Sequence, residues 1–310
     1  MDKIERIYTL PENAPLFYNE MALGIENLYG PRASKAYRKT IDNQITHAIQ
    51  HPQVITLTYN EKQKTAAICS GIVQDRKASI VLLHLLAEYQ GQGIEARLLN
   101  KMIEKLSEFD LDGIIYENLP LFDAEVKETF AKHGFSHLPR ALMNGPLRGG
   151  KPKPYASISM IRDQFTTAAS ILVDSYTGHQ DRILHQEIRT EAAAVKLITN
   201  IHAGMYGACD PAYLRFVKDN GEPVGIILGC ETVEGVGFIL QVAVKRSAQG
   251  NGFGKIMMEE MKDIFSAKGL DIISLGVTEG NPAQKLYSSC GMETVKHIDS
   301  FARWNHPVEI

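Results

Sequence analysis

From Gln249 to Lys255 the chain reads Gln-Gly-Asn-Gly-Phe-Gly-Lys, three glycines at alternate positions ahead of an apolar stretch with helical spacing. A helix start leaves backbone N–H groups without intrahelical partners and carries partial positive charge. Glycines just before it let a large anion approach the backbone, because no Cβ intervenes. Gln249, Gly250, Asn251, Gly252, Phe253, Gly254 and Lys255 therefore read as a phosphate cradle or as a flexible strand-to-helix turn. Two phosphate motifs are excluded by spacing. A P-loop needs glycine at 249 and a hydroxyl residue after Lys255, where the chain has Gln249 and Ile256. A dinucleotide fingerprint needs G-x-G-x-x-G, but here the glycines fall at 250, 252 and 254. No Ser-His-Asp or Cys-His signature is present, so no covalent nucleophile is expected. Cys69, Cys209, Cys230 and Cys290 have no paired spacing and the ten histidines no HExxH arrangement, so no metal is expected.

The elements that must hold this loop repeat along the chain. Tyr213–Val217, Pro223–Thr232 and Phe238–Lys245 read as three strands joined at the turn signals Asp219-Asn220-Gly221 and Glu234–Gly237. A helix follows, with Phe253, Ile256, Met257, Met261, Ile264 and Phe265 on one face and Gly269 as its stop, and then the buried strand Asp271–Val277. Earlier, Val54–Tyr59, Thr65–Val73 and Ser79–Ala87 form the same meander. A weaker loop at Gln90–Gly93, a helix striped by Ile94, Leu98, Met102 and Leu106, and the strand Gly113–Tyr116 complete that copy. Thirty-six positions separate Tyr213 from Gln249, and thirty-six separate Val54 from Gln90. Equal order at equal spacing argues for two copies of one α+β unit. Between them Met143–Tyr155 is dense in glycine, proline and lysine and reads as a linker that can supply no central strand.

Bulk properties narrow the class. The 310 residues are 44% hydrophobic and 22% charged, as in a globular protein of two domains. A formal charge of −3 argues against a general grip on nucleic acid or anionic lipid. The longest apolar run is too short to span a bilayer, and the charged N-terminus lacks the core of a signal peptide, so a cytoplasmic protein is expected.

The motifs together resemble the GNAT superfamily of acyl-CoA-dependent N-acyltransferases. Gln249, Gly252 and Gly254 match its [RQ]-x-x-G-x-[GA] signature, preceded by Val242-Ala243-Val244 on a strand. Asn281–Met292 (NPAQKLYSSCGM) is similar to a second signature, N-x-x-A-x-x-L-Y-x-x-x-G-F, with Ala283 one place early and Met292 in place of phenylalanine. The resemblance implies α+β domains, each a mixed, splayed, mainly antiparallel sheet flanked by helices. It implies acetyl-CoA as co-substrate. Val242, Ala243 and Val244 would pair with the pantetheine arm, residues 249–255 would hold the pyrophosphate, and Asn281 would contact the cofactor. Tyr287 would protonate the departing thiolate. Read bottom-up, Asn281 before Pro282 is equally a helix cap, and Tyr287 a core aromatic with a satisfied hydroxyl. A base for the amine is not evident; Glu231, His179 and Asp181 stand as alternatives.

The first copy departs from the pattern. Aligned on the loops, Glu95 takes the place of Gly254, and a carboxylate on that first turn competes with an anionic ligand. Aligned on His133-Gly134-Phe135, Phe130 replaces Tyr287 and Ala124 replaces Asn281. The expected organisation is thus a degenerate GNAT-like domain at 1–146, a linker at 147–154 and a catalytic domain at 155–310. The first domain is expected to scaffold, to form a homodimer or to shape the cleft. The acceptor is a small-molecule or peptide amine, set by Ser175–Arg189 and by the tail Phe301–Ile310. A non-catalytic acyl-CoA binding or sensing protein is the alternative, and the loop cannot separate acetyl from succinyl or malonyl donors.

Overall fold

The computed structural model describes residues 3–117, 124–147 and 156–308. In chain order the elements are β1 (Ile4–Ile7), α1 (Ala14–Tyr29), α2 (Pro31–Gln50), β2 (Val54–Glu61), β3 (Lys64–Gln74), β4 (Lys77–Leu85), α3 (Ile94–Leu106), β5 (Gly113–Glu117), α4 (Ala124–Lys132) and β6 (Ser136–Pro146). They continue as β7 (Ser157–Ser159), α5 (Phe165–Ser175), α6 (Glu191–His202), β8 (Leu214–Asp219), β9 (Glu222–Val233), β10 (Val236–Val244), α7 (Phe253–Ala267), β11 (Ile272–Thr278), α8 (Ala283–Ser289) and β12 (Glu293–Trp304). The chain forms two compact units, one of residues up to Pro139 with Ile298–Val308, the other Arg140–His297.

In the first unit β1, β2, β3 and β4 pair antiparallel in that order, and β4 pairs with β5 in parallel. Ser300–Trp304 of β12 runs antiparallel along the other edge of β5. The meander turns at Lys62-Gln63 and Asp75-Arg76, whose positive φ values supply the twist a two-residue hairpin needs without any glycine. Leu98, Leu99, Met102 and Leu106 of α3 are buried on the sheet, and Gly71 leaves room for the Met102 sulfur. Phe130 of α4 stacks on Phe301 of β12 with ring centroids 4.0 Å apart.

The second unit repeats this plan. β7, β8, β9 and β10 pair antiparallel, β10 and β11 in parallel, and β11 antiparallel with Arg140–Pro146 of β6. Helices α5 and α6 bury Leu172, Leu197 and Ile198 with Phe216, Ile226 and Leu228 on one face. On the other, α7 buries Met257, Met261 and Phe265 against Ile227, Ile273 and Leu275. A Cβ on Gly237 would lie 2.3 Å from the Phe265 ring, so glycine is what lets the ring reach the sheet. The buried face of α7 is turned slightly from the expected one: Met258 is buried and Ile256 is 37% exposed.

The structure differs from the sequence reading at the unit boundary. Met143–Pro146, expected within the linker, is a central strand residue by residue, pairing Leu275↔Met143 through Ile272↔Pro146. Gly145 serves there because a Cβ would come within 3.0 Å of Met292, and Pro146 is tolerated as the last residue of the strand. The expected domains 1–146 and 155–310 are therefore corrected: Arg140 onward belongs to the second unit, and Ile298–Val308 returns to the first. Of the expected linker 147–154, residues 148–154 lie outside the described residues. The tail was expected to shape the acceptor site. Instead, its strand residues to Trp304 pair with β5, and the Trp304 ring covers Gly113.

Candidate functional site

The site arises where two parallel strands part. β10 and β11 pair from Val236↔Ile272 to Ile239↔Leu275 and no further. Leu240 is then skipped in the β9 register, which passes from Ile239↔Gly229 to Gln241↔Leu228, a bulge that bends β10 away. Beyond it Val242 and Val244 still pair with β9, while Gly276–Thr278 pair with β6 on their far side. The facing edges are left open. A cavity of about 570 Å³ lies there, bordered by Val242–Val244, the glycine loop and α8.

The loop runs from the end of β10 into α7. Gly250 (φ 81°) and Gly252 (φ 82°) are left-handed, with open space where a Cβ would stand, and Gly252 caps α7 with no side-chain hydrogen bond. Only glycine adopts this path cheaply, and it leaves the first amides of α7 directed out of the helix. The first turn of α7 holds no acidic residue. Gln249 donates from Nε2 to the Val244 carbonyl at 3.1 Å, and Asn251 from Nδ2 to the Ala248 carbonyl at 3.2 Å. Of the residues expected at a cofactor site, Val242, Ala243, Val244, Gln249, Gly250, Gly252, Phe253, Gly254, Lys255 and Asn281 border one cavity; Asn251 does not, its amide turned back onto the loop. Gly254 has a second reason to be glycine: a Cβ would sit 2.9 Å from Leu286 of α8.

Tyr287, the expected acid, borders the same cavity from α8. Burial pushes its phenol well above the ordinary tyrosine value; the charge of Asp181 adds to that and Arg140 opposes it. The hydroxyl thus stays protonated through the neutral range, and among the described residues it is held by no hydrogen bond. Asn281 accepts at Oδ1 from the Ala283 amide at 2.9 Å, so it caps α8 and has its side-chain N–H donors left to offer the cavity. At the other end of α8, the buried Lys262 of α7 donates to the Cys290 carbonyl at 2.6 Å.

Three further residues border the cavity that the loop signature does not point to: Ser175, Tyr176 and Ala248. Tyr176 donates its hydroxyl to Gln241 Oε1 at 3.0 Å. The suggested bases separate. His179 borders the cavity, and its Nδ1 accepts from the Asp181 amide at 3.2 Å. The same Nδ1 stands 3.4 Å from the Asp181 carboxylate. Asp181 is buried and accepts from the Thr278 hydroxyl. Glu231 accepts from the Gly235 amide at 2.8 Å and closes the β9–β10 turn, at the end of β10 away from the loop.

The first unit shows the same frame filled differently. Val81 is skipped as Leu240 is, and Gly91 and Gly93 are left-handed like Gly250 and Gly252. The Phe135 amide donates to the Phe130 carbonyl at 3.1 Å, as the Met292 amide does to Tyr287, which places Phe130 at the tyrosine's position. Ile94 is buried where Phe253 borders a cavity, and the Glu95 charge is felt by the buried Tyr116. The side chain of Ala124 lies outside the described residues. Among the described residues no group of histidine, cysteine and carboxylate side chains could hold a metal, and no helix is long and apolar enough to cross a membrane.

The acetyltransferase (GNAT) family model matches residues 182–292. No curated protein matches the chain. Among solved structures the chain is similar to a GCN5-related N-acetyltransferase from Sphaerobacter thermophilus, 16% identical, with TM-score 0.71 over 99% of this chain and 97% of that one. It is also similar to a tandem GNAT protein from the clavulanic acid biosynthesis pathway, 13% identical, with TM-score 0.57 over 98% of both chains. A putative acetyltransferase from Pyrococcus horikoshii is 11% identical, with TM-score 0.57 over 100% and 92%.

Proposed function

We propose, from the match of the acetyltransferase (GNAT) family model to residues 182–292, that the protein is an N-acetyltransferase using acetyl-CoA and a primary amine. The observation that carries this reading is the single cavity on which the open strand Val242–Val244, the uncapped start of α7 and Tyr287 converge. When bound, acetyl-CoA supplies a thioester open to direct attack by an amine. The left-handed glycines and first amides of α7 fit a diphosphate, since space stands open at Gly250 and Gly252 and the first turn of α7 holds no acidic residue. Val242, Ala243 and Val244 offer the pantetheine arm the polar edge of a strand, and Asn281 offers it N–H donors. Tyr287 holds a proton at its hydroxyl, the form a general acid needs. His179 borders the same cavity, its Nδ1 beside the Asp181 amide and carboxylate. The first unit, with Glu95 and Phe130, is read as a degenerate copy.

A thiol-release assay with acetyl-CoA against a panel of amines tests the proposal. Release that depends on one amine and falls in Tyr287→Phe supports it. Acetyl-CoA binding without turnover of any amine favours a non-catalytic binding protein instead.

A further inference from the structure

Gln241 is the first residue of β10 past the bulge, at the end of the open edge farthest from the glycine loop. At a strand rise of about 3.3 Å per residue it stands roughly 10 Å along β10 from Val244. An arm laid along Val242–Val244 with its diphosphate at the loop therefore ends here. Tyr176 closes this end. Its residue follows the last turn of α5, and its amide is bonded to the Leu172 carbonyl at 3.3 Å. Its hydroxyl is tied to Gln241 at 3.0 Å, and its ring meets the His179 ring edge-on at 5.5 Å and 89°. His179 is fixed in turn by the Asp181 amide. Tyr176 and Tyr287 thus border the terminus of the cavity together, one from the end of α5 and one from α8.

We infer that Tyr176 sets the acyl length, leaving room past Val242 for an acetyl thioester and excluding longer chains. The inference rests on the acyl-CoA reading given above and deepens it to a short-chain donor. The ring cannot swing aside without breaking the bond to Gln241 and the edge contact to His179. A leucine or alanine there would have neither tie, and a rigid aromatic excludes volume that a flexible side chain would yield.

Calorimetric titration of the full chain with coenzyme A, acetyl-CoA, butyryl-CoA and hexanoyl-CoA tests this without knowledge of the acceptor. The wild type is expected to bind acetyl-CoA about tenfold or more tighter than butyryl-CoA, the scale on which a pocket resolves methylenes. In Tyr176→Ala the order should reverse, each newly buried methylene adding about fourfold. Tyr176→Phe and Gln241→Ala remove the same hydrogen bond, so each should loosen the ring and weaken the discrimination in part, while Tyr176→Ala abolishes it. Equal wild-type affinity for the acyl series overturns the inference, as does an unchanged ratio in Tyr176→Ala. Should that variant fail to fold, an unchanged ratio in Gln241→Ala overturns it. If coenzyme A itself does not bind the wild type, the cofactor reading fails and this inference with it. Tight coenzyme A binding with no acyl preference refutes acyl-length control alone.

Discussion

Tyr287 and Phe130 occupy one position in two copies of the same helix, and the hydroxyl is what separates them. Phe130 is locked in an aromatic stack with Phe301, a structural role complete in itself, whereas Tyr287 borders a cavity. Removing the hydroxyl while keeping the ring should therefore spare the fold. Tyr287→Phe is expected to lower kcat by about 10²-fold with the KM for acetyl-CoA little changed, the pattern of an interaction made only in the transition state. Unaltered steady-state kinetics would remove the residue from the chemistry. Gly252 makes a contrasting case, since nothing crowds it and only its φ of 82° demands glycine. Gly252→Ala should destabilise the fold by about 1 kcal/mol, read from chemical unfolding, and weaken coenzyme A binding by distorting the loop.

At the scale of elements, the position of Tyr287 depends on how α8 is held against α7. Two attachments do this, the notch at Gly254 that receives Leu286 and the Lys262 ammonium on the Cys290 carbonyl. In the first unit the equivalent carbonyl, His133, accepts from Arg303 at 3.2 Å, so the same helix end is capped by a cation from a different element. Filling the notch should push α8 outward. Gly254→Ala is expected to weaken acetyl-CoA binding, and Leu286→Ala in the same chain should restore part of the loss. A double-mutant cycle that is strictly additive would show that the two do not interact. The hairpin at Lys62-Gln63 offers an independent check on the fold. Both residues are left-handed, so Lys62→Asn with Gln63→Gly should stabilise the chain by about 1–2 kcal/mol in denaturant unfolding.

The whole molecule is built on exchanged strands. Arg140–Pro146 leaves the first unit to pair along β11, and Ser300–Trp304 leaves the second to pair along β5. A fragment of residues 155–310 therefore lacks the strand that covers one edge of β11, and should not show a cooperative unfolding transition on its own. Alkaline pH reaches the core through the tyrosines. Burial raises Tyr18, Tyr37 and Tyr213 to about 12 and raises Tyr176 and Tyr287 further, so the folded chain keeps protons that the unfolded chain loses near 10. Stability contributed by these phenols is complete below about pH 10 and is lost as pH rises through the folded values. The melting temperature should fall between about pH 10 and 12, and a flat profile there would contradict the burial of these rings.

What the sequence determined by itself was everything local. The turn signals, the alternation of the meander, the glycine spacing and the apolar stripe on α7 each act within a few residues, and the equal spacing of the two copies could be counted. Glu95 and Phe130 could be read as departures because the intact copy supplied the comparison. What only the tertiary structure decided was nonlocal pairing. Met143–Pro146 reads as a linker by composition, yet it becomes a central strand because β11 offers an edge that must be satisfied and Met292 fits over Gly145. The tail could not be placed, since no local signal says which edge a strand will join. The same holds inside the cavity. Glu231, His179 and Asp181 were indistinguishable as residue types, and only the hydrogen bonds they accept, from the Gly235 amide, the Asp181 amide and the Thr278 hydroxyl respectively, set them apart. Tyr176 lies 65 positions from Gln241, and only the folded chain brings its hydroxyl to that side chain.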